Sequence, residues 1–121
     1  LLRNMVRRDE MVYMAVSAQE VMDAELTEID RDEAGQFLIN NVVRDIVGVD
    51  WGFLMRESLK VPGQWRLSFR ANNWTREVVD IAKALGGGGH KYAAGASVVA
   101  DTKEEALQKV LAAVDATNPQ R

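Results

Sequence analysis

A chain of 121 residues, 47% of them hydrophobic and with charges of both signs, has enough apolar material for one compact core and too little length for two comfortable ones. Its formal net charge of −3 argues against indiscriminate coating of long nucleic acid, which relies on many phosphate neutralisations, although a local basic pocket stays open. The absence of cysteine excludes disulfides, thiolate catalysis and cysteine-based zinc sites, and fits a reducing, cytoplasmic setting. No run approaches the ~18 consecutive apolar residues of a membrane helix, and the opening residues lack the apolar core and cleavage site of a signal peptide.

Leu1 is not a natural start, and residues 1–10, apolar and basic, read as the remnant of an interdomain linker or helix from a longer protein. The run Met11-Val12-Tyr13-Met14-Ala15-Val16 is short, apolar and rich in β-formers, as expected of a central strand buried on both faces. Ser17 and Glu20 have the spacing of a capping box, and Asp30 with Glu33 repeats it, so a helix is expected after each. In the second, Leu38, Val42 and Ile46 with Ile39, Val43 and Val47 make one broad apolar face, a core helix of about four turns.

Val49, Trp51, Phe53 and Met55 then alternate with polar or small residues, and after Lys60-Val61-Pro62-Gly63 the alternation resumes in Trp65, Leu67 and Phe69. This is a β-hairpin pattern. The other side of its second strand carries Arg66, Ser68 and Arg70, a face that is either solvated or a site. Thr75 is placed to cap a helix with Val78, Ile81, Ala82 and Leu85 on one side, running directly into Gly86-Gly87-Gly88-Gly89-His90. Ser97 to Ala100 reads as a short strand, Thr102 and Glu105 as a third capping box, and Leu107, Val110, Leu111 and Val114 as the inward side of a final helix, with Asn118-Pro119 as its breaker. The expected fold is α/β (α+β): a single domain with a mixed sheet of about four to five strands and helices packed on it.

Four glycines are more than a helix needs in order to stop, and the small residues Ala93, Ala94, Gly95 and Ala96 follow, so the segment is built for close approach. It is no P-loop, because His90-Lys91-Tyr92 stands where Lys and Ser or Thr are required. It is no dinucleotide fingerprint either, since the glycines follow a helix, and no Gly-x-Ser-x-Gly elbow occurs. His90 is the only histidine; a metal site would need carboxylates that are not nearby, which leaves a structural hydrogen bond or a role in holding a ligand. Arg66, Ser68 and Arg70 offer a second wall, because guanidinium forks match phosphate oxygens; Arg76, Lys83 and Lys91 add charge nearby.

Ser68-Phe69-Arg70, the helix Val78-Val79-Asp80-Ile81-Ala82, and Gly86-Gly87-Gly88-Gly89-His90-Lys91-Tyr92-Ala93-Ala94-Gly95 together resemble the carboxy-terminal DHH-associated domain of DHH-family phosphoesterases. The resemblance extends from about Met11 to Val114, with its weight in residues 65–100, and implies a substrate-binding domain over 11–116 with a tail at 117–121. It is greatest to small bacterial enzymes that degrade very short oligoribonucleotides and dephosphorylate phosphoadenosine phosphate. Cyclic-dinucleotide phosphodiesterases carry a similar module, and a related RNA-binding one ends alanyl-tRNA synthetases.

The resemblance implies that a separate DHH domain of the same protein, with its Asp-His-His motif, holds two manganese ions and hydrolyses the substrate. This chain would then contribute no catalytic residue, no metal ligand and no cofactor, would be inactive alone, and would make no membrane contact. Its partners would be that domain and a short oligoribonucleotide or nucleotide, with homodimerisation left open. Arg70, Gly88, Gly89 and His90 match the positions that hold the nucleotide or its phosphate, with Ser68 in support and Gly87 and Arg66 in the same wall. Ala71 departs from the pattern: a serine often found there is missing, and with it a hydroxyl contact.

Overall fold

The alternating residues around the Lys60–Gly63 turn set the centre of the molecule. In a computed structural model of the chain, which describes residues 5–8, 11–23, 51–71 and 77–117, they form the middle of a sheet. The strands are β1 (Met5–Arg8), β2 (Met11–Val16), β3 (Trp51–Glu57), β4 (Gln64–Ala71), β5 (Gly88–His90) and β6 (Ala93–Val99); the described helices are α1 (Ala18–Asp23), α2 (Val78–Ala84) and α3 (Lys103–Ala116). The strand order is β1-β2-β3-β4-β6-β5, with β2 and β3 parallel and every other pair antiparallel. The expected mixed α+β sheet is therefore present, extended to six strands by two short ones at its edges.

Register sorts the side chains between two faces. Trp51, Phe53 and Met55 lie level with Ala71, Phe69 and Leu67, and these large residues are buried together with Trp65. Val78, Ile81 and Ala82 of α2 and Ala106, Val110, Ala113 and Val114 of α3 belong to the same cluster, so both helices cover this face. Phe53 organises its centre, 5.1 Å from the Tyr13 ring and 5.6 Å from that of Phe69. The Trp65 indole N–H donates to the Ala100 carbonyl at 3.0 Å, which satisfies its one polar atom inside the core. Each such large side chain contributes on the order of 2 to 3 kcal/mol by burial.

On the second face, Val12, Met14, Val16 and Leu54 are also buried, so β2 is an interior strand covered on both sides, as its apolar run predicts. Ser17 and Glu20 form the reciprocal capping box: the Glu20 N–H donates to the Ser17 hydroxyl at 3.1 Å, and the Ser17 N–H to the Glu20 carboxylate at 3.0 Å. At Thr102 the hydroxyl accepts from the Glu105 N–H at 3.1 Å, while the Glu105 carboxylate takes the Asp101 N–H instead, at 3.3 Å. Glu57 ties α1 to the hairpin turn by accepting from Ala18 N–H and Gly63 N–H, at 2.9 and 3.0 Å.

Two expectations change. Residues 5–8, read as linker or helix, are an edge strand, because pairing with β2 overrides the weak local preference of Met-Val-Arg-Arg. The helix before the glycines has Glu77 at its N-cap without a side-chain hydrogen bond, and one of its first amides, of Val79, donates to the Lys91 carbonyl at 3.4 Å. β6 starts at Ala93 rather than Ser97, so the small residues after His90 are part of the sheet. The helix expected after Asp30 and Glu33, together with Val49, Thr75, Arg76 and Asn118-Pro119, lies outside the described residues. No helix among the described residues is long and apolar enough to cross a membrane.

Candidate functional site

The glycine run begins as a helix stop. The Gly87 N–H donates to the Ala82 carbonyl at 2.7 Å and the Gly86 N–H to that of Lys83 at 3.0 Å, while Gly86 takes a φ of +88°. This is a Schellman motif, in which the left-handed residue is nearly always glycine. The chain then enters β5 at the sheet edge, with Gly88 opposite Gly95, Gly89 opposite Ala94 and His90 opposite Ala93. A Cβ on Gly87 would stand 2.1 Å from the Gly95 carbonyl oxygen, and one on Gly89 2.6 Å from the Ala94 Cα, where φ is also +142°. A Cβ on Gly88 would meet nothing within 4 Å. Backbone geometry thus accounts for Gly86, Gly87 and Gly89, and leaves Gly88 as the glycine whose open side no fold requirement explains.

Directly opposed residues of an antiparallel ladder share a face. Gly52, Arg70, Ala93 and His90 therefore make one row across β3, β4, β6 and β5; Leu54, Ser68, Gly95 and Gly88 make the next; Arg56, Arg66 and Ser97 make a third. Arg70 and His90 stand two strands apart, a Cα spacing of about 10 Å, with only the Ala93 methyl between them. The turn after His90 is fastened to both neighbours: Ala71 N–H donates to Tyr92 O at 2.9 Å, and Val79 N–H to Lys91 O. Lys91 also pairs with Glu77 at 3.5 Å, an exposed contact of small energetic weight. His90 and Arg70 are thus held by backbone ties one residue away from each.

On β4, β6 and β5 the polar groups of this face make few contacts with the described residues. Arg70 Nη1 donates to its neighbour's carbonyl, Phe69 O, at 2.8 Å. The side chains of Arg66, Ser68, His90 and Ser97 have no hydrogen bond or ion pair among the described residues. A pocket of about 470 Å³ opens on this face, lined among others by Arg56, Arg66, Ser68, Gly86, Gly87 and Ser97. Arg70, half-buried, and His90, exposed, lie on the same face outside that pocket.

The structure brings the expected residues Arg66, Ser68, Arg70, Gly88 and His90 to one face and puts Gly87 in the pocket wall. Gly89 stands level with Ala94 and Phe69 in the other set of rows, exposed at the sheet edge, where a Cβ would run into the Ala94 backbone. Lys83 is exposed on α2. Sequence reasoning missed Arg56 and Ser97; the signal was the hairpin register, which sets Arg56 opposite Arg66 and Ser97 beyond it. Among the described residues no three histidine or carboxylate side chains gather to hold a metal ion.

Known structures share this architecture. An exopolyphosphatase-related protein from Bacteroides fragilis is similar over 98% of this chain and 33% of its own, with a TM-score of 0.78 at 21% identity. A pGpG-specific phosphodiesterase, PggH, from Vibrio cholerae is similar over 95% of this chain and 36% of its own, with a TM-score of 0.60 at 9% identity. At such identities the likeness is one of fold, and this chain spans about a third of the length of either protein. No curated protein matches it in sequence. The model of the DHHA1 domain, however, matches residues 18–117, which include the Ser68-Phe69-Arg70 strand and the glycine-histidine run, and the chain belongs to the DHHA1 domain family.

Proposed function

We propose that this chain is the substrate-binding domain of a cytoplasmic DHH-family phosphoesterase that hydrolyses short oligoribonucleotides or nucleotide phosphates. The observation that carries the reading is the placement of Arg70 and His90 in one row on the polar face, beside the open side of Gly88. The Arg70 guanidinium has donors beyond the one engaged by Phe69 O, enough for a bidentate grip on phosphate oxygens. Ser68 adds a hydroxyl in the neighbouring row, and His90 closes the edge. At Gly88 a ligand approaches the backbone without meeting a side chain, so the grip is on the main chain as well as on the cations.

Bond cleavage belongs, in this reading, to a DHH domain whose two manganese ions supply the attacking hydroxide. The described residues of this chain gather no metal-binding cluster, and their part is to bind and orient the phosphodiester. In the full chain, Arg70→Ala and His90→Ala are expected to lower turnover of a dinucleotide about ten-fold or more, with metal content and denaturation midpoint unchanged. Unaltered kinetics in both variants would overturn the assignment. Tighter binding of folded tRNA than of a dinucleotide would replace it with an RNA-binding module like that of alanyl-tRNA synthetases.

A further inference from the structure

Packing accounts for three of the four small residues that open β6. A Cβ on Gly95 would stand 3.2 Å from the Leu67 carbonyl oxygen. Ala94 and Ala96 pack on the core side, and the glycine segment passes so close that a Cβ on Gly89 or Gly87 would come within 3.0 and 2.8 Å of their methyls. Ala93 has no such reason to be small: it is half-exposed and lies outside the hydrophobic core. Alanine is also a poor strand former, so the sheet itself does not favour it there.

The neighbours of Ala93 in its row are Arg70 on β4 and His90 on β5. Successive residues of an antiparallel strand direct their backbone groups to alternate sides. The Ala71 N–H donates to Tyr92 O, toward β6, so Phe69, two residues earlier, directs its carbonyl toward β6 as well. Arg70 Nη1 donates to that carbonyl at 2.8 Å. The guanidinium is thereby drawn off its own strand toward β6, beside Ala93 and in the direction of His90. A branched side chain at position 93 would occupy that space.

We propose that Ala93 is a positioning residue of the clamp: its small side chain lets the Arg70 guanidinium lean toward β6, so that Arg70 and His90 hold one phosphate between them. This role rests on the reading of this face as a nucleotide clamp. With about 10 Å between their Cα atoms, Arg70 and His90 meet on a single phosphate only if the longer side chain crosses part of the middle strand. A larger residue at 93 pushes the guanidinium back over β4 and leaves the phosphate to one partner at a time.

Titration calorimetry of the full chain with a diribonucleotide, divalent cations chelated, tests this. Ala93→Val, a stronger strand former, should not lower the denaturation midpoint but should weaken binding about ten-fold. Ala93→Ser, one atom larger than alanine, should recover most of that loss. In an Arg70→Ala background Ala93→Val should add nothing, because a residue that acts by placing the guanidinium has no effect once the guanidinium is gone. Undiminished binding by Ala93→Val beside a weakened Arg70→Ala would overturn the positioning role and leave the clamp standing. So would losses that add in the double variant, or a midpoint lowered by Ala93→Val, which would mean that the fold demands the small residue. Binding indifferent to both Arg70→Ala and His90→Ala would instead overturn the clamp itself.

Discussion

Strand β4 presents two sides that do opposite work. Trp65, Leu67 and Phe69 are 1%, 3% and 0% exposed and packed under α2 and α3, so their positions are determined many times over. Arg66, Ser68 and Arg70, between them on the same strand, make one side-chain hydrogen bond among the described residues, from Arg70 to the adjacent backbone. A rigid wall thus carries polar groups that the described residues leave almost unused. Positioning by packing on one side and availability on the other is what a binding surface needs, because preorganised groups lose little freedom when a ligand arrives.

The largest effect should come from breaking the packed side. Phe69→Ala is expected to cost about 3 to 5 kcal/mol by denaturant unfolding, since it opens a cavity between Phe53 and the helices. Gly87→Ala should cost about 3 kcal/mol or more, because its Cβ would run into the backbone of Gly95 and Ala96, which cannot yield as a side-chain tip could. By contrast, Arg70→Ala should shift stability by no more than about 0.5 kcal/mol while weakening nucleotide binding about ten-fold or more. A comparable loss of stability in Arg70→Ala and Phe69→Ala would erase the distinction between the two sides.

A smaller, pH-dependent effect sits away from both. Burial alone would raise the Glu20 carboxyl, but hydrogen bonds from Lys103 and from the Ser17 amide and hydroxyl outweigh it and hold the group below its usual range. A carboxyl with a folded-state pKa below its unfolded one adds stability above the unfolded value, and that contribution disappears as pH falls through the folded value. Wild type should therefore exceed Glu20→Gln slightly in denaturation midpoint at neutral pH, and the gap should close in acid. Because Glu20 and Lys103 are partly exposed, at 36% and 29%, the difference is modest.

The packed side was the more legible in the sequence. Alternation in 51–55 and 65–69 announced β3 and β4, and the capping spacings announced the starts of α1 and α3, because hydrophobic period and cap chemistry are local signals. β1, β5 and the first half of β6 left no such mark: Met-Val-Arg-Arg carries two charges, and glycine and alanine are poor strand formers, so only pairing reveals them as strands. The polar residues Arg66, Ser68 and Arg70 could be placed on one face by counting in twos. Their alignment with Gly88 and His90 could not, since it depends on how β6 carries the register from β4 to β5. Nor could the differing roles of four identical glycines, which only their surroundings separate.

That separation provides the most direct test, because Gly88 sits among glycines the fold requires and is itself open. Gly88→Ala should leave the denaturation midpoint within the small range of a surface substitution, about 0.5 kcal/mol, and weaken binding of a short oligonucleotide about ten-fold or more. An alanine variant that binds as tightly as wild type, or that unfolds as Gly87→Ala is expected to, would contradict the account.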